Sequence, residues 1–128
     1  MEKTEGYKVK QYNGPVKRFC RMLDLKNDAE LIRKYRHYHS REGIWNEVIE
    51  GIRSVGILEM EIYIAGNHLF MIVETPEDFC WDEAMERLGN MPEQRRWEEF
   101  VSAFQNAGEK SDSPEKWVMM ERMFHLYE

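Results

Sequence analysis

Ile57-Leu58-Glu59-Met60-Glu61-Ile62-Tyr63-Ile64-Ala65-Gly66-Asn67-His68-Leu69-Phe70-Met71-Ile72-Val73-Glu74 is the stretch that decides the fold. From Ile57 the apolar period is two. Leu58, Met60, Ile62 and Ile64 face one way and Glu59, Glu61 and Tyr63 the other, as a strand on a covered face requires. Ala65-Gly66-Asn67-His68 has the Gly-Asn chemistry of a tight turn, so Leu69 to Glu74 is predicted to return antiparallel.

Upstream of this hairpin, Val16 to Leu25 reads as a strand with Phe19, Leu23 and Leu25 on one side and Cys20 and Met22 on the other. Asn27-Asp28-Ala29-Glu30 has the form of a capping box and opens a helix whose stripe runs through Leu31, Ile32 and Tyr35. Ser40 to Gly43 interrupts it, and Ile44, Val48, Ile49 and Ile52 carry a second helical stretch that stops at Gly56. Downstream, Thr75-Pro76-Glu77-Asp78 opens a helical region containing Met85 and Leu88. Pro92 restarts it, and Trp97, Phe100, Val101 and Phe104 supply its stripe. Asn106 to Pro114 is polar and Gly/Ser-rich, hence a loop, and Trp117 to Tyr127 is expected as a last strand.

The order strand, helix, strand, strand, helix, strand is the ferredoxin-like βαββαβ plan of the α+β class, with helices on one face of an antiparallel sheet. All 128 residues are expected to form one domain, residues 1–16 being a lead-in segment. Apolar residues on both sides of the strands leave the second sheet face to be buried, and a homodimer with sheets face to face is expected to bury it.

Composition narrows the function. Net charge is −6, the reverse of what phosphate neutralisation asks, so nucleic acid is not an expected partner. The basic cluster Arg33, Lys34, Arg36 and Arg41 reads as a solvated helix face. The longest apolar run, Leu69 to Val73, is far too short to span a membrane. A start without an apolar leader and cysteines limited to Cys20 and Cys80 point to a cytoplasmic chain with free thiols.

Tyr35 and His39 are four apart on a helix and can share a face. A histidine titrates near neutrality and suits acid–base work. His37 and His39 diverge by about 200° and cannot hold one ion, and His68 and His125 follow no zinc spacing. Neither a nucleophile elbow nor a glycine-rich phosphate loop is present. The reading is therefore proton transfer or plain binding, with no cofactor. Of the four tryptophans, Trp97 stands out beside Gln94-Arg95-Arg96, a group of donors suited to hydroxyls.

Several segments resemble the L-rhamnose mutarotases. They are Tyr35-Arg36-His37-Tyr38-His39, Ile44-Trp45-Asn46-Glu47, Ser54-Val55-Gly56, Ile62-Tyr63, Asn67-His68-Leu69-Phe70-Met71-Ile72-Val73-Glu74, Gln94-Arg95-Arg96-Trp97 and Met123-Phe124-His125-Leu126, spanning Lys17 to Tyr127. The resemblance implies a dimeric ferredoxin-like fold in the dimeric α/β-barrel arrangement. It also implies an aldose 1-epimerase that interconverts α and β pyranose anomers of a 6-deoxy sugar without metal or redox cofactor. By position His39 matches the family's proton donor, Tyr35 its substrate-binding tyrosine, and Trp97 the second of two adjacent sugar-contacting tryptophans. Arg96 stands in place of the first tryptophan, and Met60 or its neighbour Glu59 in place of a sugar-contacting tyrosine. Arg41-Glu42 is an apparent insertion. These departures fall at the pocket and make L-fucose a rival to L-rhamnose. The expected reaction is acid–base ring opening with His39 as acid. Glu59, Glu61 or a held water remains open as the base, and a non-catalytic sugar-binding dimer is the alternative.

Overall fold

The computed structural model describes residues 5–107 and 116–127. Its elements are β1 (Val16–Asp24), α1 (Ala29–Tyr38), α2 (Asn46–Ser54), β2 (Glu59–Ala65), β3 (His68–Pro76), α3 (Trp81–Gly89), α4 (Pro92–Ser102) and β4 (Val118–Met120). The sheet order is β2-β3-β1-β4 with every neighbouring pair antiparallel. This is the ferredoxin-like arrangement, with each expected helix resolved into two shorter ones.

The hairpin forms as its alternation requires. Tyr63 pairs with Phe70 and Ala65 with His68 around Gly66, whose φ of 61° falls where glycine is at ease. The register sets which side chains share a face. Ile62, Met71, Arg21 and Met119 form one row across the sheet, and Ile64, Leu69 and Leu23 form the next. These rows lie under the helices. Leu23, Leu25, Leu69, Met71 and Val73 are buried there with Tyr35, Val48, Ala84, Trp97 and Val101.

Three local readings differ from expectation. Thr75 and Pro76 do not open a helix: they pair with Lys17 and Val16 as the end of β3, and α3 starts only at Trp81, after Cys80. The cap of α1 is Asp28, whose carboxylate accepts the Leu31 N–H at 3.0 Å, and Glu30 pairs with Arg33 instead of completing a box with Asn27. The last strand is short: only Val118 to Met120 finds β1, and the chain beyond leaves the sheet with Met123 95% exposed. The expected loop from Asn106 lies, past Ala107, outside the described residues.

The sheet's other face is shared unequally. Residues Glu5 to Pro15 lie over its β2–β3 half. There Tyr12 donates to Glu74 at 3.0 Å, Lys10 Nζ reaches the Leu58 carbonyl at 3.1 Å, and the Tyr7 and Tyr63 rings meet edge to face at 5.7 Å. Over the β1–β4 half, Met22, Val118 and Met120 stay exposed.

Candidate functional site

The end of α1 is where chemistry-bearing side chains converge. Tyr35 is buried on the helix's inner stripe, and His39 follows one turn later as the C-cap. The backbone N–H of His39 reaches the carbonyls of Tyr35 and Arg36, both at 3.2 Å. Its Nδ1 lies 2.8 Å from that same Tyr35 carbonyl oxygen. A carbonyl only accepts, so Nδ1 carries the proton and Nε2 presents a lone pair. The imidazole stacks on the Tyr35 ring at 4.1 Å and meets Trp97 at 5.3 Å. Gly43 packs the following loop against this helix end: a Cβ there would stand 2.3 Å from the His37 carbonyl oxygen.

Trp97 is fixed from behind. Trp45 meets it at 5.0 Å and itself stacks on Phe100 at 5.3 Å. One helical turn earlier, the buried Gln94 amide donates to the Val48 carbonyl at 2.8 Å and locks α4 to α2. This approach needs Gly51, since a Cβ there would lie 2.6 Å from Gln94 Nε2.

Electrostatics follow from burial. Desolvation holds the His39 pKa below its ordinary value, against the opposing pull of the Tyr35 carbonyl and the Glu98 charge. His39 is thus neutral at neutral pH. Desolvation also pushes Tyr35 up to about 12, so its phenol stays protonated. That hydroxyl faces Gln105, whose Nε2 lies 3.4 Å away. A cleft of about 210 Å³ opens between Tyr35, Arg36 and His39 on one side and Ile62, Ile64 and Leu69 on the other. A larger depression, about 320 Å³, is lined by Arg41, Ile44, Asn46, Ile49, Glu50 and Arg53, away from this constellation.

Tyr35, His39 and Trp97 are therefore brought together, and three other expected residues are not. Arg96 is 65% exposed and among the described residues reaches only Glu93, at 3.8 Å. Met60 sits on the helix side against the core but does not line the cleft. Glu59 alternates with it and lies on the opposite face, where its Oε1 accepts the Met60 N–H at 3.0 Å. Glu61 shares that face and accepts from Tyr63 at 3.3 Å. The sheet itself stands between both carboxylates and His39. The carboxylate whose charge does reach His39 is Glu98, ion-paired to the buried Lys116. Its only signal in the sequence is adjacency to Trp97. Among the described residues no three His, Cys, Asp or Glu side chains are grouped to hold a metal.

The chain is similar to known proteins over most of its length. A family model described as L-rhamnose mutarotase matches residues 18–126. An L-fucose mutarotase of Xanthomonas campestris pv. campestris is 34% identical over 113 residues, covering 88% of this chain and 90% of that protein. A UPF0734 protein of Dictyostelium discoideum is 34% identical over 116 residues, covering 86% and 90%. The crystal structure of an L-rhamnose mutarotase from Formosa agariphila superposes with a TM-score of 0.61 at 20% identity, over 87% of this chain and 99% of that one, and shows the shared fold.

Proposed function

This chain belongs to the L-rhamnose mutarotase family, a family of sugar isomerases, and on that premise we propose that it interconverts the α and β pyranose anomers of a 6-deoxy-hexose through His39. L-Rhamnose is the first candidate substrate and L-fucose the second. The apolar wall of Ile62, Ile64 and Leu69 supports a sugar with a methyl group where other hexoses carry a hydroxymethyl. A hydroxyl against that wall would be buried without a partner.

The observation that carries the reading is the tethered imidazole, with Nδ1 2.8 Å from the Tyr35 carbonyl and Nε2 free. Neutral His39 takes the proton of the anomeric hydroxyl on Nε2. The C1–O5 bond breaks as the C1 carbonyl forms, and the imidazolium returns the same proton to O5. The aldehyde turns about its C1–C2 bond, and the steps reverse on its other face. Both oxygens share the anomeric carbon, so one nitrogen serves them in turn and the base need not be a separate residue. Positioned proton transfer of this kind is worth about a hundred- to ten-thousand-fold. Tyr35 and Trp97 hold the imidazole ring in place from two sides, and Tyr35 also lines the cleft that takes the sugar.

We further propose that the protein works as a cytoplasmic homodimer. The free thiols suit a reducing compartment. The uncovered Met22, Val118 and Met120, continued by Phe124 and Leu126, are apolar surface of the kind that a second copy buries. Exchange NMR on L-rhamnose and L-fucose tests the activity. Anomeric signals that exchange no faster with protein than without refute it, and binding without exchange favours a sugar-binding module.

A further inference from the structure

Arg21 occupies a position where the strand pattern asks for an apolar residue. It lies on the helix-facing side of β1, between Phe19 and Leu23, in the row that runs Ile62, Met71, Arg21, Met119. Its guanidinium is held between the faces of Trp81, at 5.0 Å, and Trp117, at 5.4 Å. Nη2 contacts Met71 Sδ at 3.0 Å, and Nε is buried with no partner among the described residues. No carboxylate among the described residues pairs with it. The nearby Glu98 is engaged by Lys116, whose side chain is 2% exposed. Burial pushes the guanidinium down to about 10, so it remains charged at neutral pH. A half-buried guanidinium with no carboxylate partner among the described residues costs the fold desolvation energy that a hydrogen-bond acceptor would offset.

We propose that Arg21 is a specificity-determining residue that donates to neighbouring hydroxyl oxygens of the sugar, at the end remote from His39. This rests on the mutarotase reading. Ile62 lines the cleft below His39, and Arg21 lies two strands further along the same row, roughly 10 Å at the usual strand spacing. A pyranose with its hydroxyls covers most of that span. The guanidinium fork matches two adjacent oxygens, and the flanking indoles hold it in place.

The test compares wild type with Arg21→Met, which keeps the aliphatic bulk, and Arg21→Lys, which keeps only the charge. Three readouts are needed: affinity from tryptophan fluorescence, kcat and KM from exchange NMR, and the melting temperature. The probes are L-rhamnose, L-fucose and their 2-, 3- and 4-deoxy analogues. Arg21→Met is expected to weaken the preferred sugar about ten- to a hundredfold in affinity and KM, with kcat and its pH profile unmoved. Arg21→Lys recovers part of that loss, and one deoxy analogue binds both proteins equally. Melting stays level or rises, because a half-buried charge without a carboxylate partner among the described residues is gone. Affinity within twofold of wild type overturns the proposal, as does a lower melting temperature with unchanged KM, which marks a structural role. Competition by inorganic phosphate overturns it in favour of an anion ligand. Wild type that binds sugar without exchanging its anomers refutes the mutarotase reading while the affinity arm still decides Arg21; wild type that does neither overturns both.

Discussion

His39→Ala separates the proposed chemistry from the fold more cleanly than any other change. Among the described residues the side chain makes one hydrogen bond, to the Tyr35 carbonyl at 2.8 Å, and two aromatic contacts, at 4.1 and 5.3 Å. Losing them removes about 1 kcal/mol for the bond and about 0.5–1.5 kcal/mol for each ring contact. A domain with about 5–15 kcal/mol of stability absorbs such a loss and stays folded. The catalytic loss is larger. Of the groups lining the cleft, Arg36 is a guanidinium and Tyr35 is held near 12, which leaves His39 as the one that cycles near neutrality. Its removal forfeits the whole proton-transfer contribution, about a hundred- to ten-thousand-fold, or about 3–5.5 kcal/mol of barrier at 1.36 kcal/mol per decade. The assay is anomer exchange by NMR at matched protein concentration, with circular dichroism confirming the fold. In wild type kcat/KM should fall as pH drops through a His39 pKa lying below the usual histidine value, because protonation consumes the lone pair. A folded His39→Ala protein retaining more than a tenth of the rate would refute the assignment.

Arg96→Ala should be silent, within about 0.5 kcal/mol in stability and twofold in kcat/KM, since Arg96 is exposed and among the described residues meets only Glu93; a tenfold rise in KM would return it to the pocket. Gly51→Ala should lower stability by about 1–3 kcal/mol by driving a Cβ into Gln94, and a thermal melt unchanged from wild type would show that α2 and α4 can separate. Acid should also weaken the fold. His39 takes a proton more readily unfolded than folded, so stability is lost as pH falls from the ordinary histidine value through the lower folded one. Urea midpoints independent of pH across that window would contradict its burial as a neutral group. Light scattering should give twice the mass of one chain at micromolar concentration, with Met120→Glu shifting it to one; a single-chain mass for wild type refutes the dimer.

Most of the architecture was legible because it rests on periodicity. The alternation through Ile57 to Ile64 and the Gly-Asn turn required the hairpin, and α2 and α4 followed from Val48 and Val101 at helical spacing. The short β4 was not legible, because Trp117 to Tyr127 alternates as a strand does yet only Val118 to Met120 has a neighbour to bond. At the site, local spacing exposed Tyr35 and His39 because they lie on one helix. Glu59 was misplaced by a single step: alternate residues on a strand face opposite ways, so being next to Met60 puts it across the sheet. Arg21 and Glu98 come together only through tertiary packing. The one trace of Arg21 in the sequence is a charge set where β1 turns an apolar side inward.

Gly43 shapes what temperature does to this protein. Helix ends open more readily than helix centres, and His39 sits on such an end, its tautomer set by a carbonyl of the last turn. The close seat of Gly43 against the His37 carbonyl oxygen is what clamps that turn, and no larger residue fits it. The imidazole's orientation therefore depends on this one turn and not on the sheet. If His39 acts as proposed, activity should therefore be lost on warming before the core of Leu25 and Val73 melts, a difference that paired activity and circular-dichroism melts would read.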